Sequence, residues 1–256
     1  MELVFMRPEE LRDAVSRNLP LLWPVGAMEY HGEHMPLGTD TLIAYGLCRR
    51  IAEKTEAVIG PPIPFTPTMN WASGIADGDV DFSADALYPY IRESMGHFLK
   101  MGFQRIYAIV GHQGSDGLPA VLLKHAFRDL LCEFTRPLGP GWSVLPEEKM
   151  PVSDVFSAVK VCDYDQFCDY SSIDRDEKMP VGHGGRGETQ LIMMLYEGLV
   201  KMEALDRQPC PAPFWLDDVE QADKEDGGFW VDFCVNSWVA ELERIEKTRK
   251  PDRGVD

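Results

Sequence analysis

Between Glu29 and Asp40 the chain reads Glu29-Tyr30-His31-Gly32-Glu33-His34-Met35-Pro36-Leu37-Gly38-Thr39-Asp40, a short stretch holding two histidines and three carboxylates. Glu29 and His31 are one residue apart, so in extended chain their side chains leave on the same side. Asp40 stands at the far end, where a polar loop can fold it back toward them. Carboxylate oxygen and imidazole nitrogen without thiolate form the donor set of a zinc, manganese or iron centre, not of a structural zinc site. A plainer account stands beside this one. Asp40 opens a helical pattern and can act as an N-cap, accepting from an orphan backbone N–H, and a lone loop histidine such as His34 needs no metal to explain it.

The elements around this stretch give it a place. The apolar run Leu19 to Val25 reads as a strand entering the loop. Thr41 to Lys54 reads as the helix leaving it, with Leu42, Ile43, Leu47 and Ile51 at helical spacing. In an open α/β sheet, the loop at the carboxyl end of a strand is where ligands bind. The pattern then recurs. Ala57 to Ile59 is a second strand, closed by prolines, and Ser83 to Met101 a helix with Leu87, Ile91, Met95 and Phe98 on one face. Arg105 to Val110 is nearly continuous in apolar character, as a strand covered on both faces should be. It runs into Gly111-His112-Gln113-Gly114, and the helix Leu118 to Cys132 follows. A third glycine loop, Gly182-His183-Gly184-Gly185-Arg186-Gly187-Glu188, opens a helix running through Leu195. If each loop follows a strand and precedes a helix, all three gather at one carboxyl edge, and Glu29, His31, Asp40, His112, His183 and Glu188 converge. The spacing of Gly111, Gly114 and Gly117 matches neither the dinucleotide nor the P-loop pattern, so a nucleotide-phosphate site ranks last.

Thr66 to Asp81 is a long loop, and loops of that length inside a compact domain usually carry function. Trp71 and Ser73 within it, with Gln113, are the candidate substrate contacts; the alternative for Trp71 is a cap on the core. Glu2 to Met6 reads as a short strand, and Pro8 opens a helix. Val152 to Val161 contains a strand, and Cys162 to Met179 is a polar segment over the surface or the mouth of the site. Leu216 to Asp226 reads as a solvated acidic run serving solubility. Phe229 to Arg249 is a closing helix with a frayed end.

The balance of 25 Lys and Arg against 42 Asp and Glu, net −17, disfavours nucleic acid, whose binding rests on phosphate neutralisation, and anionic membranes for the same reason. Six cysteines without a C-x-x-C pair read as reduced, packed thiols of a cytoplasmic protein. The first residues lack the apolar core of a signal peptide, and no run has the length of a membrane span. A chain of 256 residues is expected to form a single α/β domain over 1–256.

The motifs Pro24-Val25-Gly26…Glu29-Tyr30-His31-Gly32…His34…Pro36-Leu37-Gly38-Thr39-Asp40, Gly111-His112 and Gly182-His183-Gly184…Gly187-Glu188-Thr189 resemble those of the creatininase (creatinine amidohydrolase) family. The resemblance implies a three-layer α/β/α fold with a mostly parallel central sheet and a centre of two divalent ions, zinc or manganese, with iron as the remaining option. It implies Glu29, His31, Asp40 and His112 as metal ligands with Asp40 bridging, His183 as catalytic histidine, and Glu188 as the glutamate of the final motif. Gly114 stands where creatininase proper carries a metal-binding glutamate, which makes Glu188 the candidate carboxylate for the second ion. The activity implied is hydrolysis of a non-peptide C–N bond, in a small cyclic amide or a formamide, by a metal-bound water, with His183 giving a proton to the leaving nitrogen. A homo-oligomer, commonly a hexamer, is also implied. The rival reading is a non-catalytic small-molecule-binding or assembly protein of the same fold with a weakened metal site.

Overall fold

Four parallel strands, β1 (Leu21–Val25), β2 (Val58–Ile59), β3 (Ile106–Val110) and β4 (Val159–Asp163), form a sheet in the order β2-β1-β3-β4. The structure is a computed structural model and describes residues 1–149, 155–175, 177–180, 182–209 and 211–248. Every residue of β1 and β3 is buried, which is why both read as apolar runs rather than alternating ones.

Alternation instead divides the two faces between two cores. Leu21, Trp23 and Val25 of β1 and Ile106, Ala108 and Val110 of β3 point to one side. There they pack against α1 (Pro8–Ser16), α3 (Ala84–Met101) and α4 (Leu118–Thr135). Leu22, Tyr107 and Ile109 point to the other side, against α2 (Thr39–Lys54), α5 (Arg186–Leu195) and α6 (Lys224–Thr248). The result is three layers, helices on both faces of a parallel sheet. Trp230 and Trp238 of α6 are fully buried in the second core, and each such side chain contributes roughly 1.5–3 kcal/mol by leaving water.

Strand order decides where a site can form. The chain passes from β1 through α2 to β2 on one side, then through α3 back across to β3 on the other. α2 and α3 lie on opposite faces, as right-handed crossovers in opposite directions require. The carboxyl ends of β1 and β3 therefore flank a topological switch point, the crevice where ligands bind in such sheets.

Several sequence expectations need correction. Glu2 to Met6 is not a strand: Glu2 alone bridges to Ile59, and Leu3–Phe5 is a 3-10 turn. A two-residue β2 offers too little edge for a longer partner. The fourth strand is Val159–Asp163, so Cys162 and Asp163 belong to it rather than to the covering segment, while 152–154 lie outside the described residues. The run Leu216 to Asp226 is solvated only in part: Asp217, Glu220, Asp223 and Glu225 are exposed as expected, but Asp218 and Asp226 are not. Leu216 and Val219 are buried, Asp218 accepts from the Arg186 backbone N–H at 2.9 Å, and Asp226 opens α6 while binding Arg186 and the Trp230 indole N–H. The closing helix starts at Lys224, and its expected end at Arg249 and the frayed tail beyond lie outside the described residues. Five cysteines are free thiols; Cys210 lies outside the described residues.

Candidate metal centre

Two glycines let the strand ends close on the start of α2. A Cβ on Gly26 would lie 2.3 Å from the Thr41 backbone nitrogen, and one on Gly111 would lie 2.3 Å from the Asp40 carbonyl oxygen. Only glycine permits approaches this close. The N-cap of α2 is Gly38, not Asp40. Asp40 is the second residue of the helix, and its carboxylate makes no capping bond. It lies instead between two imidazoles, Oδ1 3.0 Å from His31 Nε2 and Oδ2 2.8 Å from His112 Nδ1. Glu188 Oε2 approaches His31 Nε2 at 3.5 Å, and Glu29 Oε2 approaches His112 Nδ1 at 3.3 Å. Glu29, His31, Asp40 and His112 are all at most 5% exposed.

Each imidazole is oriented by a backbone carbonyl. His31 Nδ1 is 2.9 Å from the Glu29 carbonyl oxygen, and His112 Nε2 is 3.1 Å from that of Pro67. A carbonyl only accepts, so these nitrogens carry the ring hydrogen, and the opposite nitrogens turn toward the carboxylates. For His112 the approach to Asp40 is too far out of line to be a hydrogen bond. Asp40 Oδ2 and Glu29 Oε2 are buried with no donor. Lone pairs facing carboxylate oxygens call for a positive charge between them, a proton or a metal cation, and second-sphere carbonyls that fix a ligating tautomer are usual in metal sites. Ligand atoms fall within 4.8 Å of one another in three groups: Glu29, Asp40 and His112; His31, Asp40 and Glu188; and Glu29, His31 and His183. The first two share Asp40. The donor set thus fits a pair of divalent cations.

Charge balance points the same way. Burial pushes Glu29 and Glu188 up to about 7. Burial lowers His31, but Asp40 and Glu188 outweigh it and raise the ring to about 10. Burial also raises Asp40, yet His31 and His112 hold its carboxyl well below the usual range. Three acids share this small volume, and the cavity beside them is lined by neither lysine nor arginine among the described residues.

His183 joins from the third loop, though no strand leads directly into that loop. β4 ends at Asp163, and a long irregular segment intervenes before α5, so the expected strand-loop-helix pattern fails there. The loop is held by other means. Glu188 Oε2 accepts from the Gly184 N–H at 2.7 Å. His34 is not in any of the metal-competent groups. Its Nε2 lies 2.9 Å from the Thr189 hydroxyl, which in turn donates to the Gly184 carbonyl, so it ties the first loop to α5. Burial lowers His34 to about 4, keeping it neutral. His183 Nε2 sits 2.7 Å from the Tyr30 carbonyl and so carries the hydrogen, while Nδ1 faces Glu29 Oε2 at 3.7 Å. Burial, reinforced by His31, lowers this ring to about 4.

A cavity of about 560 Å³ opens over the cluster, lined by Glu29, Asp40, His112, His183 and Glu188 on its floor. Trp71 and Gln113 line it as well, but Ser73 does not: its N–H donates to Asp79 and its hydroxyl to Asp77 within the loop. Both polar ends of Gln113 are engaged, donating to Pro67 and accepting from the Leu118 N–H, and its φ of 58° is the left-handed strain of a tight loop. Two features of the site escaped sequence reasoning, Asp163 in the cavity lining and Trp215 beside His183. Asp163, at the carboxyl end of β4, has a buried unpaired Oδ1 only 3.3 Å from where a Gly114 Cβ would be. Trp215 stands edge-on to His183 with centroids 4.8 Å apart, and Trp71, at 5.3 Å from His183, is its neighbour with indole centroids 6.5 Å apart. The position of Asp163 next to Val110 in the sheet was the available signal; Trp215 had none.

Comparison with known proteins agrees with this geometry. The family model Creatininase, described as creatinine amidohydrolase, matches residues 5–242. Creatinine amidohydrolase of Pseudomonas putida is 24% identical over 246 residues, covering 88% of this chain and 89% of that protein. The mycofactocin precursor peptide peptidase of Mycobacterium ulcerans is 29% identical over 148 residues, 52% of this chain and 55% of its own. A solved structure named Creatininase Mn superposes with a TM-score of 0.74 at 20% identity, covering 95% of this chain and 97% of that one. With the match running through all three glycine loops, the chain belongs to the creatininase family of amidohydrolases.

Proposed function

We propose that this chain hydrolyses a non-peptide C–N bond, in a small cyclic amide or a formamide, with two divalent ions, zinc or manganese, held at the β1–β3 crevice. Glu29, Asp40 and His112 would hold one ion, and His31, Asp40 and Glu188 the other, with Asp40 shared. When bound, such a pair supplies Lewis acidity to the substrate carbonyl and lowers the pKa of water. The observation that carries the reading is Asp40 itself, one oxygen toward each of two imidazoles whose other nitrogens are fixed by backbone carbonyls.

His183 supplies the proton traffic. Its Nε2 hydrogen stays with the Tyr30 carbonyl, so Nδ1 is the exchanging atom, and the ring is neutral near pH 7. It therefore first takes a proton on Nδ1 from the attacking water and then delivers it to the leaving nitrogen. Trp71 and Trp215 both stand edge-on to the ring and hold its orientation from adjacent sides. Without lysine or arginine in the lining, an anionic substrate group would have only the ions to meet.

The test is elemental analysis of purified protein together with turnover across a panel of lactams and formamides. Near two ions per chain with hydrolysis of at least one substrate class is expected. A second reading, a non-catalytic binding or assembly protein of the same fold, rests on Gly114, which supplies no ligand atom. Metal far below one ion per chain and no turnover would select it. The homo-oligomer implied by the resemblance belongs to the same reading and is measured by light scattering.

A further inference from the structure

Cys168 and Cys234 stand apart from the metal centre and form a pair. Their Sγ atoms are 3.7 Å apart, and Met179 Sδ is 3.9 Å from Cys234 Sγ. Cys234 lies on α6 and is 1% exposed; Cys168 is half-buried, in the turn that leaves β4. The pair is asymmetric. The Sγ–Sγ contact with Cys234 lowers the Cys168 thiol against burial, with Ser237 adding to the effect, whereas the same contact, together with burial, raises Cys234 well above the ordinary value. Burial likewise raises Cys48 and Cys162. A partly accessible thiol of lowered pKa beside a buried second thiol is the arrangement of a redox-responsive pair.

The turn carrying Cys168 is also a wall of the cavity. Tyr164 and Asp165 line it, the Cys168 N–H donates to the Asp165 carbonyl at 2.9 Å, and the Tyr170 hydroxyl donates to the Asp165 carboxylate at 2.8 Å. On the α6 side, the Trp238 indole N–H donates to the Tyr164 carbonyl at 2.7 Å, and Phe167 packs edge-on to the same indole at 4.6 Å. We propose that Cys168 and Cys234 are a modification site, forming a reversible disulfide with a hydroperoxide and thereby strapping the Tyr164–Asp165 wall of the cavity to α6. The Cys168 thiolate attacks a peroxide oxygen; the O–O bond breaks, water or alcohol leaves, and a sulfenic acid forms. Cys234 sulfur then attacks that sulfur, the S–O bond breaks, and the departing hydroxide takes the Cys234 proton as water. The two thiols lose two electrons and the peroxide gains them. Closure brings the sulfurs from 3.7 Å to bonding distance, about 2.05 Å, mainly by side-chain rotation.

The test needs no substrate and so stands or falls separately from the hydrolytic reading. Full-length reduced protein is exposed to a small excess of hydrogen peroxide, digested, and mapped by mass spectrometry. The expected product is a Cys168–Cys234 linked peptide that dithiothreitol reverses. Cys234→Ser should instead carry Cys168 on to sulfinic acid, and Cys168→Ser should slow peroxide consumption about tenfold, with melting curves confirming that both variants fold. Amide exchange across 164–170 should slow several-fold in the oxidised protein. Wild-type protein in which Cys168 stays a thiol, or over-oxidises without cross-linking, overturns the pair. Unchanged exchange overturns the strap.

Discussion

Replacing Asp40 by asparagine separates the proposed shared carboxylate from every other ligand. Asparagine keeps the volume and one oxygen but loses the charge. The two oxygens of Asp40 serve different groups: Oδ1 lies 3.0 Å from His31 Nε2 and Oδ2 lies 2.8 Å from His112 Nδ1. One substitution should therefore weaken both ions. Removing a second-sphere partner costs roughly 10–100-fold in metal affinity, and an anionic ligand touching both ions should exceed the upper figure for each. A hundredfold loss corresponds to about 2.8 kcal/mol. Glu29→Gln and Glu188→Gln should each weaken mainly one of the two, because of the two groups that share Asp40 one contains Glu29 with His112 and the other Glu188 with His31. Chelator competition followed by elemental analysis reads this directly. The expected pattern is two ions for wild type, one for each glutamine variant and neither for Asp40→Asn at the same chelator concentration. Wild-type retention in Asp40→Asn, with its fold intact, would refute the sharing argument.

Three further outcomes follow from the same geometry. His183→Gln should retain metal and lose turnover by about two to four orders of magnitude, the usual worth of general acid–base catalysis; a loss of metal instead would make His183 a ligand. Gly111→Ala should lower stability by roughly 1–3 kcal/mol and metal affinity with it, because its Cβ meets the Asp40 backbone oxygen at 2.3 Å; an unchanged melting temperature would count against that tight approach. The third concerns pH. Although burial alone would lower it, His31 is raised to about 10 by Asp40 and Glu188, so its contribution is complete below the unfolded value of about 6.5 and is lost as pH climbs through 10. Glu29 and Glu188, pushed up to about 7 by burial, act in the same direction up to that pH. Chelator-treated protein should melt lower at pH 9 than at pH 7, by at most about 1.4 kcal/mol per pH unit from His31, while metal-loaded protein changes little. Parallel profiles with and without metal would refute this.

Much of the scaffold was legible because its signals are local. β3 is an apolar run, α2 and α3 are periodic, and glycine clusters mark where strand ends meet helix starts. The convergence of the first two histidine loops also followed from topology, whereas the third reaches the same edge with no strand leading into it among the described residues. What escaped is contact across the chain. Asp218 and Asp226 read as solvated because Arg186 is distant in sequence and because the Trp230 bond, one helical turn on, depends on α6 starting at Lys224. Ser73 was placed at the cavity by its neighbour Trp71, but Asp77 and Asp79 turn it into the loop. Asp40 was offered as cap or ligand. The loop solves that alternative locally by ending at Gly38, which leaves the carboxylate uncommitted.

The layered position of the centre has a mechanical meaning. Glu29, Asp40 and His112 sit at strand ends and the start of α2, close to the stiff middle of the sheet. Glu188 belongs to α5, whose place is set by packing on α6 and α2, and which meets the first loop through the His34–Thr189 contact and the approach of Glu188 to His31. An ion seated on His31, Asp40 and Glu188 would thus tie the loop after β1 and the start of α2 to α5. It joins parts of the chain made early and late in synthesis, and its supply becomes part of how the helical layer is assembled.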